Sequence, residues 1–123
     1  MRKVIEVAVK SQKEDLPSLL NILSHSGSVD ILRCLKKGPK RQIELIKETG
    51  LDKTIVWRRT KELGLAGLIK MEITITDRHP KFELTPTGRR ILELLEEIER
   101  VYKEGVSLEE KELKEIEKML KER

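Results

Sequence analysis

The spacing of apolar residues changes once along this chain, and that change limits the possible folds more than any other feature. Up to Leu63 the apolar residues recur every three or four positions, as on one face of a helix. After Gly67 they alternate with polar residues over 71–76, and a turn at 77–80 leads into a second short run at 81–84. Alternation on both sides of a turn is typical of a β-hairpin. The pattern therefore predicts helices followed by one hairpin.

Two short helices directly precede the hairpin. The first spans about 41–49, and Gly50 follows it at the position where a left-handed residue commonly ends a helix. The second spans about 53–63, so the connection is short enough for a helix-turn-helix. The residues expected to face the core are Ile43, Leu45, Ile46, Val56, Thr60 and Leu63.

Further elements are predicted on either side. Residues 4–10 alternate and are β-branched, which favours a short strand. Helices are expected after residue 14, after Ser28 as a cap, and after Thr85 as a cap with Pro86 in the first turn. Ser107 and Glu110 have the spacing of a capping box, which predicts a last helix.

The predicted fold is mainly α with a small β-hairpin. It consists of an N-terminal strand or arm in 1–12, a helix-turn-helix body with the hairpin as its wing in 13–88, and a helical hairpin in 89–123. The apolar edges of the last two helices cannot be buried by such thin elements alone, so they must pack on the body of the same chain or on a second copy, and we expect them to support a homodimer. The residues assigned to this homodimer interface are Ile91, Leu94, Leu95, Ile98, Val101, Tyr102, Leu113, Ile116, Met119 and Leu120.

Charge is divided unevenly along the chain. Residues 1–88 contain 17 Lys and Arg against 11 Asp and Glu, a net charge of +6, whereas 89–123 contain 9 against 11, a net charge of −2. A basic body indicates a polyanionic partner, whereas a solvated surface would explain the amount of charge but not its division. Charged residues form 39% of the chain and amide residues are scarce, so we expect a thermophilic, archaeal source.

The sequence does not support a metal site, a redox sensor or an enzyme. A single cysteine, Cys34, and two histidines do not form a structural zinc set, and Cys34 is better interpreted as a small core residue than as a redox sensor. The chain has no nucleophile motif and no phosphate-binding glycine loop. We therefore expect no enzyme activity, no metal and no cofactor, and no small-molecule effector is identifiable. The chain also lacks a long apolar run and a signal peptide, so we expect a cytoplasmic protein without a membrane partner.

Residues 28–100 resemble the winged-helix transcription regulators of the ArsR, MarR and HxlR groups. The resemblance is carried by the segment LGLAGLI at 63–69, which closes the second helix of the pair, and by FELTPTG at 82–88, which follows the hairpin. It implies that the second helix enters the major groove of DNA, that the wing contacts the backbone or minor groove, and that flanking helices form a dimer. The paired cysteines of ArsR metal sensors are absent, because Cys34 stands alone.

The outward face of the second helix has the chemistry that this role requires. Lys53, Arg58 and Lys61 are cations that can neutralise phosphates, and Arg58 is the first candidate for bidentate contact with guanine. Trp57 fits DNA contact and packing against a neighbouring helix equally well. A histidine at the position of His79 is more often a simple turn residue than a ligand. The full set of predicted DNA-binding residues is Arg41, Gln42, Lys53, Thr54, Trp57, Arg58, Lys61, Arg78, His79 and Lys81.

The sequence thus predicts a homodimeric, sequence-specific DNA-binding transcription regulator that acts as a repressor. Two alternatives remain open at this point. One is an architectural protein that binds DNA without sequence preference, and the other is a winged helix that serves as a protein-interaction module.

Overall fold

The computed structural model describes residues 2–3 and 15–122. The helices in this part of the chain are α1 (Leu16–Ser24), α2 (Ser28–Lys36), α3 (Gln42–Thr49), α4 (Lys53–Leu65), α5 (Pro86–Glu104) and α6 (Glu110–Lys121). The strands are β1 (Arg2–Lys3), β2 (Lys40–Arg41), β3 (Ile69–Thr74) and β4 (Lys81–Leu84). The predicted fold class, mainly α with a small hairpin, is confirmed.

The sheet is antiparallel, with the strand order β1-β3-β4-β2. The hairpin pairs Ile69 with Leu84 and Met71 with Phe82, so residues of the same face stand opposite each other. The two outer strands are only two residues long and lie on opposite edges of the hairpin. The strand predicted at 4–10 lies outside the described residues.

Helix α2 forms the centre of the core. Its residues Ile31, Leu32 and Leu35 are completely buried, and α2 contacts α1, α3, α4, α5 and β4. The other buried apolar side chains, supplied by the elements around it, are Leu23, Leu45, Val56, Leu63, Leu68, Ile69, Phe82, Leu84 and Leu92. Helices and hairpin thus share one core, as a single small domain requires.

Gly88 allows the wing and α5 to approach each other closely. A Cβ at this position would lie 1.8 Å from the carbonyl oxygen of Leu68, at the start of the hairpin. Thr85 reinforces the contact, because its hydroxyl accepts a hydrogen bond from Gly88 N at 2.9 Å and donates one to Gly67 O at 2.7 Å. The Thr85 cap predicted from the sequence is therefore confirmed.

Three local predictions were wrong. Ser28 does not cap α2, because Gly27 takes that position with a φ of 87° and the buried Ser28 hydroxyl donates to Ile22 O instead. Ser107 does not cap α6, which begins two residues later, behind Glu109. Ile43 does not face the core: its side chain is 56% exposed, because Leu45 and Ile46 already occupy the inward side of α3.

The C-terminal helices leave their apolar edges open. Ile91 and Leu95 pack against the core of their own chain, whereas Leu94, Ile98, Val101 and Tyr102 of α5 are exposed. Every residue of α6 is exposed, including Leu113, Ile116, Met119 and Leu120. Ion pairs from Arg33 to Glu99 and from Lys36 to Glu96 hold α5 against α2.

Replacing Gly88 by Ala tests the close approach of α5 to the hairpin. We expect a loss of about 1–3 kcal/mol in the free energy of unfolding, because the new methyl group has to displace backbone atoms of Leu68. Gly64→Ala is the matched control: its Cβ meets no atom closer than 3.9 Å, so better helix propensity in α4 should add about 0.5–1 kcal/mol. Denaturant unfolding measures the free energy of unfolding of both variants. Equal changes in the two would contradict this account.

Candidate nucleic-acid interface

Helix α4 is held with one side in the core and the opposite side in solvent. Val56, Thr60 and Leu63 are buried against α2, α3 and the start of β3. Asp52 caps the helix by accepting a hydrogen bond from Thr54 N at 2.7 Å. The side chains predicted to contact DNA lie on the exposed side, and these are Lys53, Thr54, Trp57, Arg58 and Lys61. The Trp57 indole is 46% exposed, so it stands at the border between the packed and the open face.

A network that the sequence analysis missed fixes α4 against the α1–α2 corner. The Arg59 guanidinium donates to Ser26 O at 2.7 Å and to Glu62 Oε1 at 2.8 Å, and His25 Nδ1 lies 2.6 Å from Glu62 Oε2. The hydrogen bond with His25, together with Arg59, lowers the pKa of the Glu62 carboxyl. Arg59 is therefore a structural cation, unlike its neighbour Arg58. The spacing of Arg59 and Glu62 was the only signal in the sequence, since His25 is 37 positions away.

The tip of the wing is tied to the start of α3. Arg41 donates to the carboxylate of Asp77, and that carboxylate also accepts a hydrogen bond from His79 N at 3.1 Å. The bond from His79 N and the nearby Arg41 charge lower the pKa of Asp77. Thr74, at the end of β3, closes the turn by accepting from Asp77 N at 3.0 Å. The predicted DNA ligand Arg41 is thus engaged within the chain, whereas Arg78, His79 and Lys81 reach the surface of the wing.

A groove of about 370 Å³ separates the wing tip from the two helices. Its floor is apolar and includes the exposed Ile43. Basic residues from three different parts of the chain stand around it: Arg41 before α3, Lys53 at the start of α4, and His79 in the turn of the wing. The complete lining is Arg41, Gln42, Ile43, Ile46, Lys53, His79 and Pro80. An apolar floor with a cationic rim suits a sugar-phosphate strand, which presents both kinds of surface.

Cys34 lies half-buried against the core. Burial, followed by the nearby Glu48, raises the pKa of its thiol, which favours the less reactive protonated form. This environment agrees with the interpretation of Cys34 as a core residue. Across residues 2–3 and 15–122 the side chains form no cluster that could hold a metal ion, and no helix of that part is long and apolar enough to cross a membrane.

The order of helices, the hairpin after α4 and the packing of both on α2 define a winged helix. Solved structures of similar fold are transcription regulators. They include YodB from Bacillus subtilis in its diamide-treated form (19% identity, 75% of this chain and 93% of that one, TM-score 0.67). A MarR-family regulator from Enterococcus faecalis has 21% identity over 77% of this chain and 92% of its own, with a TM-score of 0.62.

The regulator BldR from Sulfolobus solfataricus is also similar, with 20% identity over 87% of this chain and 86% of its own and a TM-score of 0.53. No protein-family model and no curated protein matches the sequence. The structural likenesses therefore establish the winged-helix fold, and they do not test the finer resemblance to the ArsR and HxlR groups.

Replacing Glu62 by Gln tests the network behind α4. Because the pKa of Glu62 is lowered in the folded chain, its contribution should be complete above the ordinary value of 4.5 and lost as pH falls below it. We expect the variant to be about 1 kcal/mol less stable at pH 7 and equal to the wild type at acid pH. Unfolding curves at several pH values, with the exposed Glu115→Gln as control, measure this. A difference that persists unchanged at acid pH would argue against the charged network.

Proposed function

We propose that this chain is a sequence-specific DNA-binding transcription regulator that acts as a homodimer and represses by occluding a promoter. The observation that carries the proposal is the exposed cationic side of α4, held by its buried side and by Arg59 and Glu62, directly beside the wing tip. A helix of this kind fits the major groove of DNA, and a neighbouring hairpin fits the adjacent backbone. The proposed function has no catalytic step, and we propose that the protein acts in the cytoplasm.

The residues of α4 have different roles in this proposal. Arg58, near the middle of the exposed side, reads a base through the two parallel hydrogen bonds that guanidinium groups form with guanine. Thr54 contacts a base or phosphate, and Lys53 and Lys61 neutralise phosphates. Trp57, at the edge of this face, covers sugar or base edges with its exposed part.

The wing and α3 supply the backbone contacts. Arg78 and His79 at the tip, with Lys81 at the start of β4, approach the phosphates or the minor groove. Gln42 and the apolar floor of the groove receive the adjacent strand. Arg41 contributes charge to this surface while its guanidinium keeps the wing in position through Asp77.

The open apolar edges of α5 and α6 support the homodimer. Leu94, Ile98 and Val101 of α5 and the leucine and isoleucine side chains of α6 are exposed in the single chain, which is costly in water unless a second copy covers them. A two-fold dimer places two α4 helices about one DNA turn apart, roughly 34 Å, so its site is an inverted repeat.

Selection of bound sequences from a random DNA pool tests the central part of this proposal. We expect an inverted repeat whose binding resists a large excess of random duplex. Recovery of DNA without a common sequence would support an architectural protein instead. Failure to bind any duplex would support a protein-interaction module.

Arg58→Ala should reduce affinity for the selected site about 5- to 150-fold, the equivalent of about 1–3 kcal/mol, and relax the preference at one base pair. Arg58→Lys should lose much of the same preference, because an ammonium group cannot form the bidentate contact. Lys111→Ala, on the side of α6 opposite its apolar edge, is the control and should bind like the wild type. Equal affinities of the Arg58 variants and the control in fluorescence anisotropy would contradict this role.

Ile116→Glu tests the homodimer, since it places a charge in the middle of the apolar edge of α6. We expect the mass in solution to change from two chains to one at micromolar concentration. Lys114→Glu changes charge on the opposite side of the same helix and should remain dimeric. Light scattering distinguishes the two, and a wild-type mass of one chain would remove the dimer from the proposal.

A further inference from the structure

Asp77 is a carboxylate at the tip of the wing, on the surface that we propose for DNA, and its side chain is 30% exposed. It accepts hydrogen bonds from the Arg41 guanidinium and from His79 N, and both of these residues line the groove between the wing and the helices. The hydrogen bond from His79 N and the charge of Arg41 lower the pKa of the Asp77 carboxyl, so this group is an anion at neutral pH. A negative charge at this place repels phosphate, so affinity for DNA alone does not explain it.

Arg41 differs from the other cations proposed to meet DNA from α4 and the wing turn. In the part of the chain that the structure describes, those cations have no carboxylate partner, and they are Lys53, Arg58, Lys61 and Arg78. The Arg41 side chain is 41% exposed and lines the same groove as Lys53, yet its guanidinium is engaged by Asp77. One cation of the groove is therefore neutralised where a phosphate would otherwise attract it.

The pair also fixes the position of the wing tip against α3. Strand β2 pairs with β4, with Arg41 opposite Lys81, so the backbone of Arg41 is part of the wing sheet. The hydrogen bond from the Arg41 guanidinium to Asp77 adds a second tie, from the start of α3 to the turn of the hairpin. Within that turn, Thr74 Oγ1 accepts a hydrogen bond from Asp77 N at 3.0 Å. A wing tied in this way meets DNA in one arrangement.

We infer that Asp77 determines how well this chain distinguishes its site from other DNA, and that it does so by holding the Arg41 guanidinium. This inference rests on the proposed function and deepens it. The pair withholds one phosphate contact, which lowers affinity for every duplex, because phosphate contacts carry no sequence information. The pair also keeps the wing in position, which returns affinity only to a duplex that matches the shape of the interface. The two effects together favour the selected site over random duplex.

The variant D77N tests this inference with the full chain. Asparagine keeps the size of the side chain and the oxygen that accepts from His79 N, and it loses the charge that holds Arg41. The control E115Q changes the net charge by the same amount on α6, which contributes no residue to the groove. The double variant R41Q/D77N removes both partners and leaves the net charge unchanged. Affinities for the selected duplex and a random duplex are measured by fluorescence anisotropy between roughly 50 and 200 mM salt, and thermal unfolding checks the fold.

We expect D77N to steepen the slope of log affinity against log salt by about 0.9 per bound chain, for the one phosphate that the released Arg41 neutralises. Affinity for the random duplex should rise on the order of tenfold at the lowest salt. Affinity for the selected duplex should change less, because the wing has lost its tie to α3, so the ratio of the two affinities falls. R41Q/D77N and E115Q should both retain the wild-type slope.

Four results would overturn the inference. A D77N slope equal to that of E115Q means that Arg41 gains no phosphate, and weaker binding to both duplexes at that slope means that Asp77 only supports the wing. An equal gain on both duplexes means that Asp77 sets affinity without affecting discrimination. A steeper slope in R41Q/D77N as well means that the effect does not come from Arg41. If the wild type binds no duplex or prefers no sequence, the proposed function itself fails, and that result is distinct from the others.

Discussion

The burial of α2 is the constraint on which the rest of the structure depends. Ile31, Leu32 and Leu35 are inaccessible to solvent, and α1, α3, α4, α5 and β4 are all placed by their contact with this helix. Because α4 must direct Val56, Thr60 and Leu63 toward the core, its remaining side is forced outward. The cationic face is thus a geometric consequence of the core, and the close contact of Gly88 with Leu68 places the wing relative to it.

Carboxylates determine which cations remain available to a polyanion. Glu62 engages Arg59, and Asp77 engages Arg41, so each carboxylate converts a cation into a structural group near the proposed interface. Arg58, Lys61 and Arg78 project from elements that these pairs hold in place. The proposed interface therefore combines rigid support beneath it with positive charge on its surface, a combination that favours recognition of a defined DNA shape.

Local patterns in the sequence were sufficient to predict helices α1 to α6, the hairpin of β3 and β4, and the exposed face of α4. Alternation predicted β3 and β4, and helical spacing placed Val56, Thr60 and Leu63 inward, because both signals depend on neighbouring residues. The exposure of Ile43 follows from Leu45 and Ile46, which already occupy the inward side of the same helix. The positions of β1 and β2, by contrast, could not be predicted from local patterns. They depend on contacts between distant segments, such as Arg41 with Asp77 or His25 with Glu62, for which the sequence contains no local signal.

The most direct measurement of the central claim is an NMR titration of the labelled protein with its selected duplex. The account predicts that the largest changes in backbone amide shifts occur in α4 between Lys53 and Lys61, at the wing turn around Arg78, and at Gln42 beside the groove. Shift changes confined to α5 and α6, with α4 unaffected, would show that DNA does not bind through α4 and would contradict the account.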